Sequence, residues 1–221
     1  MLETRSRRVS RVLYESGAPV WERATTHPMV VGIGDGTLPH EVFRGYFEQN
    51  VVYRQAYARA IALTVAKAPD LEGVETLARF LGQIVDTEIP ANLAFLERLG
   101  GAPGASVHPI TYGYTRHLLA TCALGDCAEG LTAVLPCQWS YGELARRLIA
   151  NPPADPVYAD WIGLFGSDEY DGLVEQSTAL LDRLADADDA VQMASLTSIF
   201  ERSTQYEVAF WDMAYAGPRP G

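Results

Sequence analysis

The chain has 221 residues, 48% of them hydrophobic, and a formal net charge of −11 at pH 7. A chain of this length can bury about 70% of the surface that its unfolded form exposes, so we expect one domain over residues 1–221 that needs neither a disulfide nor a metal for its core. The negative charge repels phosphate backbones, which argues against nucleic-acid binding.

The apolar runs and the cysteines indicate the compartment in which the protein is expected. No apolar run approaches the roughly 20 residues that a membrane span requires, and the amino terminus lacks the apolar core of a secretion signal. The cysteines are odd in number and lack the paired spacing of zinc sites, which is typical of a reducing compartment. We therefore expect a cytoplasmic protein with no membrane partner, no metal and at least one free thiol. The three cysteines are Cys122, Cys127 and Cys137.

The first 40 residues predict a short helix and a tight connection. A helix is expected over residues 3–16, ending at Gly17, with a further turn over residues 21–26. Residues 32–37 (GIGDGT) are rich in glycine, but no strand is predicted before them and no Lys-Ser or Lys-Thr pair follows, so a tight connection is favoured over a phosphate site. Thr37 is expected to cap the next helix, and Pro39 to lie in its first turn. The arginines expected on a solvated face of the first helix are Arg5, Arg7, Arg8 and Arg11.

A long helix is predicted over residues 38–68, with an aromatic stripe at helical spacing. Such a stripe is more often core packing than a binding wall. Asn50 is the polar exception, since a buried amide left unpaired costs about 1–3 kcal/mol and must face a protein partner, a water or a ligand. A satisfied core asparagine and a ligand contact both remain open. The other members of the stripe are Phe43, Tyr46, Phe47, Tyr53, Tyr57 and Ile61.

The rest of the chain also has helical periodicity. A helix over residues 71–99 should bend at Pro90, and another is expected over residues 111–124. Asp126 and Glu129 predict a capping box for a helix that continues to about residue 150. Shorter and longer helices follow over residues 157–165, 167–186 (capped by Ser167) and 188–214. Because no segment alternates with a period of two, the fold class is all-α, a single-domain helical bundle.

Cys137 lies on the inward face of the helix with the predicted capping box, at helical spacing from Val134 and Tyr141. Pro136 lacks a backbone donor, so the helix should bend there and leave the carbonyl of Thr132 free. A bent helix at a thiol suits a chemical site. The alternative is that Cys137 is simply a small buried hydrophobic residue.

Glu207 falls on the common face of the last helix. Burying an ionised carboxylate is costly, so Glu207 should have a raised pKa or meet a donor. A structural network is the alternative, and it stays open at this point. The other residues on this face are Phe200, Ser203, Phe210, Trp211 and Ala214.

A thiol and a carboxylic acid that face inward from separate helices suit addition to an electrophilic ring, in which sulfur attacks while the acid supplies a proton. Spacing alone does not show that the two helices converge. Flat walls for a planar heteroaromatic ligand would come from Tyr53, Tyr114, Tyr141 and Phe210.

Histidine chemistry is disfavoured. A cysteine–histidine hydrolase would need a partner that nothing in the spacing indicates. A carboxylate–histidine metal bundle would need a Glu-x-x-His motif, which does not occur, and no histidine follows His117. Surface or capping roles are therefore expected for His27, His40, His108 and His117.

Several of these stretches together resemble the TenA, or thiaminase II, family of helical proteins with the haem-oxygenase-like fold. They occur in family order and span nearly the whole chain. The matching stretches are His27-Pro28, residues 32–39 (GIGDGTLP), Tyr112-Gly113-Tyr114-Thr115, Leu135-Pro136-Cys137-Gln138-Trp139, Trp161-Ile162-Gly163, Tyr206-Glu207 and residues 210–215 (FWDMAY).

The resemblance implies a hydrolase of thiamin salvage that releases hydroxymethylpyrimidine from aminomethylpyrimidine or from thiamin, without a cofactor or metal. It implies that Cys137 is the nucleophile that adds to the pyrimidine ring, as in the cysteine-bearing branch, and that Glu207 protonates the ring nitrogen. It also implies a homotetramer, the usual assembly of the family. The pyrimidine would be lined by Tyr53, Tyr114, Tyr141 and Phe210.

Two positions depart from the family pattern. Asn50 stands where many members carry an aspartate that holds the pyrimidine amino group, and Phe165 stands where many have a tyrosine. An asparagine keeps a hydrogen-bonding oxygen but loses the charge. A non-catalytic or weakly active pyrimidine-binding or regulatory protein on the same scaffold is therefore the alternative. A haem or quinone-precursor oxidase of similar fold is disfavoured by the missing histidines.

Overall fold

A computed structural model describes residues 8–217, and the regular secondary structure in this range is helical, with no strand. The α-helices, with one π-helix between α4 and α5, are α1 Val9–Thr25, α2 Pro28–Gly34, α3 His40–Val65, α4 Leu71–Gly82, π1 Gln83–Glu88, α5 Ile89–Arg98, α6 Pro109–Leu124, α7 Cys127–Leu148, α8 Pro156–Phe165, α9 Asp168–Leu184 and α10 Ala190–Tyr215. The all-α prediction is confirmed.

Helix α7 lies at the centre of the bundle. It packs against α3, α6, α8, α9 and α10, and nearly all of its residues up to Ala145 are buried. The predicted capping box is present: the Asp126 side chain accepts from the amide of Glu129 (2.9 Å), and the Glu129 side chain accepts from the amide of Asp126 (3.1 Å). The helix that carries Cys137 therefore starts where its sequence predicts and is surrounded by other helices.

The predicted end of the first helix at Gly17 is wrong. Helix α1 continues through Gly17 and Pro19 to Thr25, so the separate turn over residues 21–26 is part of it. Gly17 is instead a close contact with α10, because a Cβ there would lie 2.9 Å from the ring of Phe200. Residues 3–7 of the predicted helix, with Arg5 and Arg7, lie outside the described residues. Arg8 and Arg11 are exposed, as expected.

The glycine-rich segment is also different from the prediction. Gly32 and Gly34 belong to the short helix α2, and the chain turns afterwards, at Gly36, where φ is +69°. The carbonyl of Gly32 accepts hydrogen bonds from the amides of Thr37 and Leu38. The Thr37 side chain does not cap α3. Pro39 takes the N-cap position instead of the first turn, without a side-chain cap.

The predicted bend at Pro90 is a change of helix type. The six residues of π1 precede α5, with Pro90 in the first turn of α5. Proline lacks an amide donor and clashes with the carbonyl four residues earlier, here that of Asp86, so the hydrogen-bond ladder shifts by one residue. This shift turns Glu88 into the core, where its side chain is fully buried.

Candidate active site

The sequence-predicted residues meet in one buried cluster. Helix α7 supplies Cys137 and α10 supplies Glu207, with exposed fractions of 1% and 3%. None of the predicted side chains is more than 4% exposed, so any ligand among them is enclosed and shielded from water. The predicted set is Asn50, Tyr53, Tyr114, Cys137, Tyr141, Phe165, Glu207 and Phe210.

Glu207 is poised to gain or lose a proton near neutral pH. Burial raises the pKa of its carboxyl to about 7, and this outweighs the lowering by the Tyr114 hydroxyl, the Arg54 guanidinium and the Cys137 thiol. The Tyr114 hydroxyl donates to Glu207 Oε1 at 2.5 Å. Both outcomes expected for a carboxyl among aromatic residues, a raised pKa and a donor, are thus present together.

The thiol is neutral at rest. Burial raises the pKa of Cys137 far above its ordinary value, and the charge of Glu207 adds to this rise. Arg54 and the Tyr53 hydroxyl act in the opposite direction and lower the pKa. The hydroxyl of Tyr53 makes no hydrogen bond of normal geometry, although it lies near enough to influence the sulfur. The sulfur can therefore attack only if its proton has an acceptor close by.

Asn50 belongs to a chain of hydrogen bonds whose direction is fixed at one end. The carbonyl of Glu88 can only accept, so it holds the nitrogen of Asn92 (2.7 Å) and leaves the Asn92 oxygen to face Asn50. The nitrogen of Asn50 donates to that oxygen (2.6 Å) and to the Tyr46 hydroxyl (3.0 Å). Both donors of Asn50 are therefore used inside the protein, and its oxygen is the atom left for a ligand.

Aromatic rings surround these polar groups. The ring of Tyr53 lies 4.9 Å from that of Tyr114 and 5.6 Å from that of Phe210, measured between centroids. The Tyr141 hydroxyl pairs with that of Tyr46 at 2.8 Å, and its ring meets Phe165 edge-on at 5.0 Å. These flat side chains suit a planar heteroaromatic ring.

Four residues near the site were not singled out from the sequence. Arg54 lies four residues after Asn50, on the same face of α3, and helical spacing could have found it. Glu88 and Asn92 could not be found in this way, because the π-helix changes the phase of the pattern. Tyr46 was identified only as part of the aromatic stripe.

The helix near Pro136 offers a carbonyl to a side chain, although not at the expected residue. The Tyr57 hydroxyl donates to the carbonyl of Val134 at 2.7 Å, two residues beyond the Thr132 carbonyl that Pro136 was expected to free. This bond ties α3 to α7 next to Cys137.

The histidines are engaged outside this cluster. His27 and His108 cap α2 and α6 through Nδ1, as expected for capping residues. His40 pairs with Asp155, and His117 bonds to Ser203. Residues 8–217 contain no group of three potential metal ligands, and no helix in this range is long and apolar enough to cross a bilayer.

Comparison with known proteins assigns the family. The family described as TENA/THI-4/PQQC matches residues 15–217. The chain belongs to this family. The aminopyrimidine aminohydrolase of Halalkalibacterium halodurans is 35% identical over 209 residues, which cover 92% of this chain and 93% of that protein.

Solved structures agree with the TenA assignment. A TenA homologue from P. horikoshii has a TM-score of 0.87 at 28% identity, covering 96% of this chain and 100% of its own. A domain with a heme oxygenase-like fold from Shewanella denitrificans has a TM-score of 0.72 at 15% identity, covering 93% of this chain and 91% of its own. The TenA chain described here therefore has the haem-oxygenase-like helical fold.

Proposed function

We propose that this chain is an aminopyrimidine aminohydrolase of thiamin salvage, which releases hydroxymethylpyrimidine from aminomethylpyrimidine or from thiamin. The observation that carries the proposal is the buried pair formed by Cys137 and a Glu207 whose pKa is about 7. The relative from H. halodurans, named for this activity and matched over nearly its whole length, supports it.

Glu207 supplies the first proton. With a pKa of about 7, its carboxyl is protonated in a large fraction of molecules at neutral pH and can protonate a ring nitrogen. Protonation withdraws electrons from the ring carbons and makes them electrophilic. The carboxylate left behind then lies next to the Cys137 thiol and is the acceptor that the neutral thiol needs.

Cys137 then adds to the ring. Its proton passes to the Glu207 carboxylate as the carbon–sulfur bond forms, so the net change is one proton moved from sulfur to ring nitrogen. The adduct is no longer aromatic, and the ring nitrogen lone pair expels the leaving group from the adjoining methylene. The amine takes the proton that Glu207 received from Cys137 and leaves neutral, whereas the thiazole of thiamin leaves neutral without a proton. Water adds to that methylene, and the ring regains aromaticity by releasing the sulfur.

Asn50 and the aromatic rings would orient the substrate. The free oxygen of Asn50 can accept a hydrogen bond from the pyrimidine amino group, so the loss of charge at this position does not remove the contact. Tyr53, Tyr141 and Phe210 would hold the ring plane. Phe165 offers a ring face without a hydroxyl.

Product release from thiamin and from aminomethylpyrimidine, followed by chromatography, tests the proposal. Cys137→Ser should abolish hydroxymethylpyrimidine formation, whereas Cys122→Ser, at another buried free cysteine, should leave it intact. Intact-mass measurement with each pyrimidine would detect a trapped sulfur adduct. If the wild-type protein releases no product from either pyrimidine, the proposal is wrong. A ligand-induced thermal shift without turnover, unchanged in Asn50→Asp, would indicate the binding or regulatory alternative.

Two further parts of the proposal concern the cellular compartment and the oligomeric state. The three free cysteines support a reducing compartment, the cytoplasm. The homotetramer rests on the family resemblance, and light scattering of the purified chain would test it.

A further inference from the structure

Arg54 is a cation at the centre of the site to which nothing above gives a role. Its side chain is 1% exposed. Its Nη1 lies 3.8 Å from the sulfur of Cys137 and 2.6 Å from Oε2 of Glu88. A single nitrogen thus faces both the thiol and a buried carboxylate.

The remaining nitrogens of Arg54 are unused. Nε and Nη2 are buried and have no hydrogen-bond acceptor. A structural arginine–carboxylate pair normally uses two parallel hydrogen bonds, which offset the cost of burying both charges. Here the guanidinium is otherwise surrounded by rings, at 5.3–5.8 Å from the centroids of Tyr53, Tyr57, Tyr141 and Phe165. This arrangement is poor for a purely structural pair and leaves positive charge available to the sulfur.

We propose that Arg54 is the counter-ion of the Cys137 thiolate that forms during attack, and that Glu88 holds Arg54 in place and limits its effect. The assignment rests on the proposed function only in taking the sulfur as the nucleophile. The Cys137 proton leaves for Glu207, and the negative charge that appears on sulfur is next to Nη1.

The other groups around the sulfur leave this task to Arg54. Glu207 on α10 and Glu88 on π1 are acids, and the charge of each acts against a thiolate. Burial raises the pKa of every neighbouring tyrosine, so these residues stay neutral. Arg54 is the cation among the groups that act on the sulfur. The tyrosines, on α3, α6, α7 and α9, are Tyr46, Tyr53, Tyr57, Tyr114, Tyr141 and Tyr170.

The proposal predicts opposite effects for the two members of the pair. Arg54→Met removes the cation. The buried Glu88 carboxyl, whose pKa is raised by burial and lowered only by Arg54, then takes up a proton, so no charge remains to favour the thiolate and it becomes rarer. Glu88→Gln leaves the cation unshared, so the thiolate becomes more common. A pair that only stabilises the fold would loosen the core in both variants and change thiol reactivity in the same direction.

The test is the rate of Cys137 alkylation by iodoacetamide in the full chain without any pyrimidine, resolved by peptide mass spectrometry. A change of one in pKa is a tenfold change in thiolate fraction. We expect labelling to be at least about tenfold slower in Arg54→Met and several-fold faster in Glu88→Gln, with Arg54→Lys between Arg54→Met and wild type. Cys122 and Cys127 in the same molecules report any general loosening, and their rates should not change.

Two additions keep the test decisive. The double variant Arg54→Met/Glu88→Leu removes both buried charges and should fold, yet it should react as slowly as Arg54→Met. The ultraviolet absorption of the thiolate, followed as the pH is raised and taken as the difference between each variant and the same variant with Cys137→Ser, needs no reagent to enter the core. Equal reactivity of wild type and the double variant, or a change of the same sign in both single variants, overturns the proposal. Because no pyrimidine is present, a protein without hydrolase activity would refute the proposed function and leave this result standing.

Discussion

Replacing Asn50 by aspartate gives the sharpest test of the hydrogen-bond chain. This change restores the aspartate of the family pattern, but the structure predicts that it destabilises the fold. The Asn92 oxygen lies 2.6 Å from the Asn50 nitrogen, and the Glu88 carbonyl prevents the Asn92 amide from turning over. A carboxylate at position 50 would bring two oxygens together without a proton between them.

The size of the effect follows from the groups left unpaired. The Tyr46 hydroxyl can reverse and donate to the new carboxyl, so one of the two hydrogen bonds survives. The contact with Asn92 does not, and a buried polar group without a partner costs about 1–3 kcal/mol, more if charged. We expect Asn50→Asp to lower the free energy of unfolding by about 2–4 kcal/mol at pH 7, or the melting temperature by about 5–15 °C.

The loss should depend on pH in a defined direction. Because protonation supplies the missing donor, the pKa of the new carboxyl in the folded state lies above its unfolded value. Its cost is therefore absent at low pH and grows as pH rises from the unfolded pKa, about 4, towards the folded one. Urea unfolding at pH 5 and pH 7 measures this, with Asn151→Asp, the same change at an exposed position, as the control. An Asn50→Asp protein as stable at pH 7 as this control would refute the direction assigned to the chain.

Two other predictions concern Glu207 and the packing of α1. Glu207→Gln keeps an acceptor for Tyr114 but cannot release a proton, so kcat should fall by about 10²–10⁴-fold, and the decline of wild-type activity above pH 7 should disappear from the pH profile. Glu207→Gln should also be more stable than wild type by about 3 kcal/mol at pH 8 but not at pH 4, because burial destabilises only the ionised carboxyl. Equal gains in stability at both pH values would contradict the raised pKa of Glu207. Gly17→Ala should lower the free energy of unfolding by about 1–3 kcal/mol, since its Cβ would meet the Phe200 ring. Gly45→Ala, with open space around its Cβ in α3, should raise the free energy of unfolding by about 0.5–1 kcal/mol. Urea denaturation that ranks the two variants in the reverse order would exclude this packing argument.

Helical periodicity was sufficient to predict much of the fold and of the candidate site. Cys137, Asn50 and Glu207 are buried on the inward faces that the spacing predicts. The packing of their helices α7, α3 and α10 against one another could not be predicted from the spacing. The capping box at Asp126 could also be predicted from the sequence, because a helix start depends on local hydrogen bonds.

The features that the sequence did not predict depend on contacts between segments that are distant in the chain. Gly17 has the usual signature of a helix end, but here its missing side chain admits the Phe200 ring, and only the tertiary packing shows this. The sequence pattern gives Arg54 no role, although helical spacing places it on the same face of α3 as Asn50. Its burial becomes intelligible only with Glu88, which a π-helix brings inward from another segment.

The π-helix makes one short segment control two separate properties of the site. Glu88, its last residue, holds the guanidinium beside the sulfur, and Asn92, one turn later, sets the direction of the Asn50 amide. Deleting one residue from Gln83–Glu88 would turn the following helix by about 100° relative to the segment before it and misalign both partners in a single event. The reactivity of the Cys137 sulfur and the recognition of the ring by Asn50 therefore both depend on this segment, and an insertion or deletion in it would change both.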